Sequence, residues 1–100
     1  MSSAGNDDGS GVPPQAASLL IFPTDFPIKI MGPNLLEFES QMVAIVRRHA
    51  PDLDEQTIEV RQSRAGNYLS LTVTIRAQSR AQLDAIYLDL TRHPWVKVVL

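Results

Sequence analysis

The chain has 100 residues, a formal net charge of −2 and no cysteine. Its length predicts one domain, and a share of 44% hydrophobic and 20% charged residues is typical of a folded globular protein. The lack of cysteine excludes disulfides and thiolate metal sites and suits a reducing cytoplasm, where we expect the protein to reside. No apolar run approaches the roughly 18 residues of a membrane span, so no membrane association is expected.

The start of the chain differs in composition from the rest. Residues 1–18 are rich in Ser, Gly, Ala and Pro, and they offer too few large apolar side chains to offset the entropy of ordering. We therefore predict a disordered leader over 1–18 and a single domain over 19–100. Asp7 and Asp8 account for the net charge, so the predicted domain is neutral and has no overall attraction for a polyanion.

The first half of the domain predicts a strand followed by a helix. Over 25–32, Phe26, Ile28 and Ile30 alternate with other residues, as in a half-buried strand. Asn34 and Glu37 have the spacing of a capping box, which predicts a helix from Asn34 to about Ala50. The predicted buried stripe of this helix consists of Leu35, Phe38, Met42, Ile45, Val46 and His49.

The second half predicts a hairpin, a helix and a last strand. Strands over 56–64, with Ile58 and Val60 inward, and over 68–77 flank a turn at 65–67. Ser79 and Gln82 predict the capping box of the second helix, whose buried stripe is Leu83, Ile86, Tyr87 and Leu90. The last strand, 95–100, is predicted to turn Val96, Val98 and Leu100 inward and Trp95, Lys97 and Val99 outward. The opposite register stays open because Trp95 and Val99 are also apolar.

This order of elements, βαββαβ, predicts an α+β fold. Right-handed crossovers bring both helices to one face of a four-stranded antiparallel sheet with spatial order 4-1-3-2, a ferredoxin-like α/β sandwich. The other face of the sheet is then left open.

Five segments together resemble the YbeD-like family of small bacterial proteins: FPTDFPIKIMG, RRHAP, SRAGNYLSLTVTI, SRAQLDAIYLDL and VKVVL. The resemblance covers about 22–100; the leader departs from the family's more compact pattern. It implies a ferredoxin-like fold similar to ACT regulatory domains, which bind amino acids and control metabolic enzymes. It also implies a link to lipoate metabolism, because genes of this family often lie near the lipoyl-transfer gene. The family offers no catalytic residue to carry over.

The turn formed by Gly32, Pro33 and Asn34 is a candidate effector site. It joins the first strand to the first helix, where backbone donors are exposed at a helix start. The resemblance supports this reading, since the same connection, with a glycine, helps to form the effector pocket of ACT domains. Met31 replaces the acidic residue usual before that glycine, and a plain connecting turn is the alternative reading.

The open sheet face is the second candidate site. Its predicted contact residues are Lys29, Arg61, Tyr68, Arg76, Trp95 and Lys97. A mixed face with aromatic and apolar residues favours association with a protein partner or a second copy, although a simply solvated face is also open. The alternative is an RNA-binding domain, which is disfavoured because the middle of the first and third strands lacks aromatic residues for base stacking.

Catalytic and metal-binding chemistry finds little support in the sequence. We expect His49 to be a half-buried helix-end residue and His93 to lie in a surface loop. The acidic residues Asp52, Asp54 and Glu55 fit a solvated connection better than a cation site. We therefore predict a non-enzymatic protein without a cofactor or metal, acting as a regulatory or adaptor domain.

Overall fold

A computed structural model describes residues 20–100, and the predicted leader lies outside the described residues. The elements in chain order are β1 (Thr24–Pro33), α1 (Phe38–His49), a 3-10 turn (Glu55–Thr57), β2 (Glu59–Gln62), β3 (Tyr68–Ala77), α2 (Arg80–Arg92) and β4 (Val98–Val99). The strands form one antiparallel sheet in the order β2-β3-β1-β4. The ferredoxin-like sandwich predicted from the sequence is therefore confirmed.

The two central strands supply the floor of the core. Ile28 pairs with Val73 and Ile30 with Leu71, and all four side chains are fully buried. The helices cover them with two apolar stripes: Phe38, Met42, Val43, Ile45 and Val46 on α1, and Leu83, Ile86 and Leu90 on α2. Each such side chain stabilises the fold by about 1.5–3 kcal/mol on burial. Because strand side chains alternate, the residues between these point to the uncovered face.

The start of α1 differs from the prediction. The helix begins at Phe38, its N-cap residue is Glu37, and no side chain among the described residues caps it. Asn34 instead donates from Nδ2 to the carbonyl oxygen of Gly66 at 2.8 Å, and its backbone N–H donates to the Asn67 oxygen at 2.9 Å. The Asn34 side chain therefore binds the hairpin turn and does not cap the helix. Leu35, which the sequence predicts to be buried, is 42% exposed.

The capping box of α2 is present in a modified form. The Ser79 hydroxyl accepts a hydrogen bond from the Gln82 backbone N–H at 3.1 Å. The Gln82 side-chain oxygen accepts from the N–H of Gln78, one residue before the cap, at 2.7 Å. The bond from Gln82 to Ser79 is the one that the local sequence predicts, whereas the return bond from the Gln82 side chain is shifted by one residue to Gln78.

The register of the last strand is opposite to the preferred prediction at Val98, Val99 and Leu100, whereas Val96 packs against the core and Lys97 is exposed, as predicted. Lys29 and Leu100 exchange two backbone hydrogen bonds of 3.0 and 2.8 Å, and Met31 lies opposite Val98, so Val98 and Leu100 share the open face with them. Val99 instead lies opposite Ile30 and packs against the core. The hydrogen bonds to β1 determine which side chains of the last strand face the core, a choice that the apolar run in the sequence leaves open.

Strand β2 is shorter than predicted and lies at an edge of the sheet. Val60 lies opposite the buried Leu71 and thus points to the helix side, as expected, yet it is 45% exposed. The helices do not cover this edge, so burial of Val60 is incomplete. The neighbouring Ile58 is partly buried against the core.

Candidate interaction face

The open face is organised in rows of residues that lie side by side across the sheet. Strand pairing places Glu59, Thr72, Lys29 and Leu100 in a first row and Arg61, Ser70, Met31 and Val98 in a second row. We call these eight residues the central block. Each row contains one residue from β2, β3 and β1 and one from the β4 end of the chain, in that order.

The chemical character of the central block changes from one side to the other. On β2 it is charged, with Glu59 and Arg61 both exposed. On β3 it presents hydroxyl groups, and at the β4 side it is apolar, since Val98 is 41% and Leu100 58% exposed. The block therefore combines an apolar patch, a polar strip, the opposite charges of Glu59 and Arg61 on β2 and the further positive charge of Lys29 on β1.

The rest of the face follows β1 and β3 beyond the block. Tyr68 is half exposed and lies opposite Pro33. At the other end, Arg76 and Asp25 lie opposite each other and form an ion pair of 3.3 Å. The charge of Arg76 therefore has a partner within the chain, whereas no intramolecular ion pair involves Lys29 or Arg61 in the part of the chain that the structure describes.

Trp95 does not lie on the open face, contrary to the sequence-based prediction. Its side chain is partly buried against the core, and its ring lies 5.1 Å from the ring of His93 at a tilt of 54°. Lys97 is exposed, and its backbone N–H donates to the backbone oxygen of Met31. The same Met31 is also the strand partner of Val98. Two residues thus face one, as in a β-bulge, and the interrupted alternation keeps Lys97 out of the core.

The turn of Gly32, Pro33 and Asn34 is closely packed. A Cβ built on Gly32 would lie 2.6 Å from Phe38 Cζ and 2.6 Å from the backbone oxygen of Trp95. Pro33 has no N–H, and both Asn34 donors described above bind the hairpin turn. The donors of this turn are therefore engaged within the domain.

The His49 ring joins the two helices. Because an ionised carboxylate can only accept, the Nε2–H of His49 donates to the Asp89 carboxylate, and the two atoms lie 2.6 Å apart. Arg48 and Arg92 lie within 4.0 Å of the same carboxylate. The hydrogen bond from His49 is the main cause that lowers the pKa of Asp89 from its ordinary value of 3.8. Partial burial acts in the opposite direction and is outweighed. His49 is half-buried at the helix end, as the sequence predicts.

His93 is a structural residue and not the surface-loop residue predicted. Its Nδ1 accepts from the Trp95 backbone N–H at 3.1 Å, so the ring hydrogen is on Nε2, which donates to the Gln41 side-chain oxygen at 2.6 Å. Both ring nitrogens are thus used to hold α2 to α1 and to position Trp95. Neither histidine is paired with a hydroxyl nucleophile in the hydrogen bonds of the described residues.

Two of the three acidic residues after α1, Asp54 and Glu55, have structural partners. Asp54 caps the 3-10 turn by accepting from the Gln56 N–H at 3.0 Å, and Glu55 forms an ion pair with Arg47. Over residues 20–100, no three His, Asp or Glu side chains come together as metal ligands. These carboxylates therefore serve the connection between α1 and β2.

Comparison with known proteins places this chain in a family. The family profile described as "Protein of unknown function (DUF493)" matches residues 17–100. The chain belongs to the DUF493 family. A UPF0250 protein of Nitrosomonas europaea is 53% identical over 83 residues, which cover 83% of this chain and 95% of that protein. A UPF0250 protein of Paraburkholderia phytofirmans is 55% identical, and the match covers 83% of this chain and 93% of that protein. A UPF0250 protein of Ralstonia nicotianae is 48% identical, and the match covers 94% of this chain and 96% of that protein. The YbeD-like resemblance is thus confirmed.

Among solved structures, the fold is similar to the ACT domain from GTP pyrophosphokinase of Chlorobium tepidum, determined by solution NMR. The TM-score is 0.58 at 18% identity, and the match covers 76% of this chain and 84% of that domain. At this identity the likeness concerns the fold alone. Of the two helices described, neither has the length and hydrophobicity to cross a bilayer.

Proposed function

We propose that this chain is a cytoplasmic, non-enzymatic regulatory or adaptor domain that binds a protein through its open sheet face. The observation that carries the proposal is the apolar patch of Met31, Val98 and Leu100 on a sheet face that neither of the two described helices covers. Such a patch beside polar and charged residues resembles the composition of protein interfaces, in which an apolar centre has a polar rim.

The face is a better binding surface than either edge of the sheet. Strand β4 has two residues, and the four-residue β2 carries Glu59 and Arg61. Short and charged edges are the features by which proteins discourage strand addition. The ten-residue β1 and β3, in contrast, expose a long continuous surface.

A small effector at the turn of Gly32, Pro33 and Asn34 has weaker support, because its donors already bind the hairpin turn. RNA binding also has weaker support, since Lys29 and Thr72 occupy the middle of β1 and β3 and Tyr68 lies at a strand end. The link to lipoate metabolism implied by the family resemblance makes an enzyme of that metabolism one partner to look for.

The test is affinity capture from extract of the native cell with the full chain as bait. We expect Leu100→Glu to lose partners that the wild-type chain retains, because a carboxylate at this position would be desolvated in the contact. Mass spectrometry of the captured fraction, with and without added amino acids, measures this loss. The amino acids show whether an effector controls the association.

Leu88→Glu is the matched control. Leu88 lies on α2, on the other side of the domain, and is 52% exposed against 58% for Leu100. It should capture the same partners as the wild-type chain. Equal capture by the Leu100→Glu and wild-type chains would refute the proposed function.

A further inference from the structure

We propose that the open face binds a second copy of this chain, face to face, about a twofold axis that lies between the two rows of the central block. The axis runs parallel to the sheet and perpendicular to the strands. This inference rests on the proposed function and names the partner. It follows from the way the residues of the block are distributed over the four strands.

Rotation about this axis places each strand opposite the same strand of the second copy, and the first row of one copy then faces the second row of the other. Glu59, in the first row, then faces Arg61 of the second copy, and Arg61 faces Glu59 of the second copy. Two complementary ion pairs result, because a twofold contact repeats every pair. The chain carries both charges of the pair two residues apart on one strand.

The other three strands are complementary under the same rotation. On the β4 side, Leu100 faces Val98 of the second copy, so the apolar patches cover each other. On β3, Thr72 faces Ser70 of the second copy, which brings hydroxyl donors and acceptors together. On β1, the methylene groups of Lys29 lie against the Met31 side chain while the ammonium group reaches the rim.

A twofold axis parallel to the strands gives a poor contact. It would lay β2 over the β4 side of the second copy and place Glu59 against Leu100 and Arg61 against Val98. Both charges would then be desolvated without a partner, which is costly. The distribution of charge therefore selects one of the two in-plane axes.

The size of the face predicts a reversible dimer. The axis crosses β1 at Ile30 and β3 at Leu71, three residues from one end of each ten-residue strand, so about seven residues of each strand overlap with the second copy. Strands rise about 3.4 Å per residue and lie about 4.8 Å apart, so these segments and the two short strands cover roughly 330 Å². Two copies would bury about 650 Å², which is below the usual 1,200–2,000 Å² of stable interfaces. We therefore expect monomers and dimers to exchange, with the dimer favoured at high concentration.

The experiment is sedimentation equilibrium of the full chain over a wide concentration series, with charge-reversed variants. Glu59→Arg and Arg61→Glu should each weaken the dimer about tenfold or more, since symmetry places like charges together twice. An equimolar mixture of the two variants should recover dimers, because the Arg-bearing face of one chain then meets the Glu-bearing face of the other. Recovery by mixing also shows that both variants are folded.

The matched controls carry the same charge reversals away from the face. Glu39→Arg lies on α1 and Arg64→Glu in the hairpin loop, and both should dimerise like the wild-type chain. Failure of the mixture to recover dimers would overturn the proposed axis. A wild-type chain that stays monomeric up to its solubility limit would overturn the second-copy proposal alone, since capture with Leu100→Glu still decides the proposed function.

Discussion

Replacement of Gly32 by alanine is expected to destabilise the fold strongly through overpacking. The new methyl group would lie 2.6 Å from Phe38 Cζ and 2.6 Å from the backbone oxygen of Trp95, and still nearer to Phe38 Cε1. Real Cβ atoms essentially never approach other atoms this closely. Phe38 is fully buried, so its ring cannot move outward without opening the core.

The expected cost is about 3 kcal/mol, at the upper end of the 1–3 kcal/mol typical of an added methylene in a packed core. The upper end applies because one of the two clashes is with backbone, which cannot change rotamer. For a domain of this size each kcal/mol lowers the melting temperature by about 4–8 °C. We therefore expect a decrease of about 12–24 °C.

Thermal and urea denaturation followed by circular dichroism measures this loss, and Gly66→Ala is the control. Gly66 has φ of 80°, but among the described residues a Cβ there would meet only Gln62 Oε1, at 3.8 Å. Its cost is therefore left-handed strain, about 1–2 kcal/mol, and Gly66→Asn should recover much of it. Gly32→Asn should not recover stability, because the obstacle at Gly32 is lack of space.

A melting temperature of Gly32→Ala within about 4 °C of wild type, equivalent to less than about 1 kcal/mol, would refute this reasoning. It would mean that the Trp95 backbone can move away from β1 without loss. In that case the position of β4 on the sheet would not depend on close approach at Gly32.

Two further predictions concern the connections of the helices. Asn34→Ala should cost about 0.5–1.5 kcal/mol in urea denaturation and speed amide exchange at Gly66, because it removes the hydrogen bond to that turn; unchanged exchange would contradict this. Its far-ultraviolet helix signal should stay constant, since Asn34 does not cap α1. The pKa of Asp89 is lowered in the fold, so its carboxylate stabilises the protein above about pH 4 and this contribution is lost as pH falls through the folded pKa. Urea midpoints between about pH 5 and about pH 2 should therefore fall more steeply for the wild-type chain than for Asp89→Asn, and parallel curves would contradict the assignment.

Strand β3 and helix α2 could be predicted from the sequence because their signals are local. The alternation from Leu69 to Ile75 has a period of two and ends at turn residues, so the predicted bounds 68–77 agree with the structure. Ser79 lies three residues before Gln82, and the capping contact forms between neighbours in the chain. Such features depend on residues that stay close whatever the rest of the fold does.

The start of α1 could not be predicted because a distant group competes for the same side chain. Asn34 and Glu37 have the spacing of a helix cap, but the acceptor that Asn34 uses lies 32 residues away in the hairpin turn. His93 is a similar case, since its partner Gln41 is 52 residues away on another helix. A local pattern cannot show which of two partners is nearer in space.

The candidate face was predictable in part. Lys29 and Arg61 lie on strands whose alternation is clear, and the structure exposes both on the side away from the helices. The sequence predicts Val98 and Leu100 in the core because that register keeps Lys97 outward, although the apolar residues at both phases of VKVVL leave the opposite register open. The bulge at Lys97, which exposes Lys97 and Val98 together, depends on pairing with Met31. The apolar half of the central block was therefore visible only in the structure.

The sequence by itself determined the order of strands and helices, the buried stripes and the sheet order, because these follow from side-chain periodicity and chain handedness. Only the tertiary structure decided which side of the last strand faces inward. That choice is made by the hydrogen bonds between Lys29 and Leu100, which align the edge strand with its neighbour. Residues far apart in sequence form these bonds, so the surface on which the proposed association depends is a property of the folded sheet.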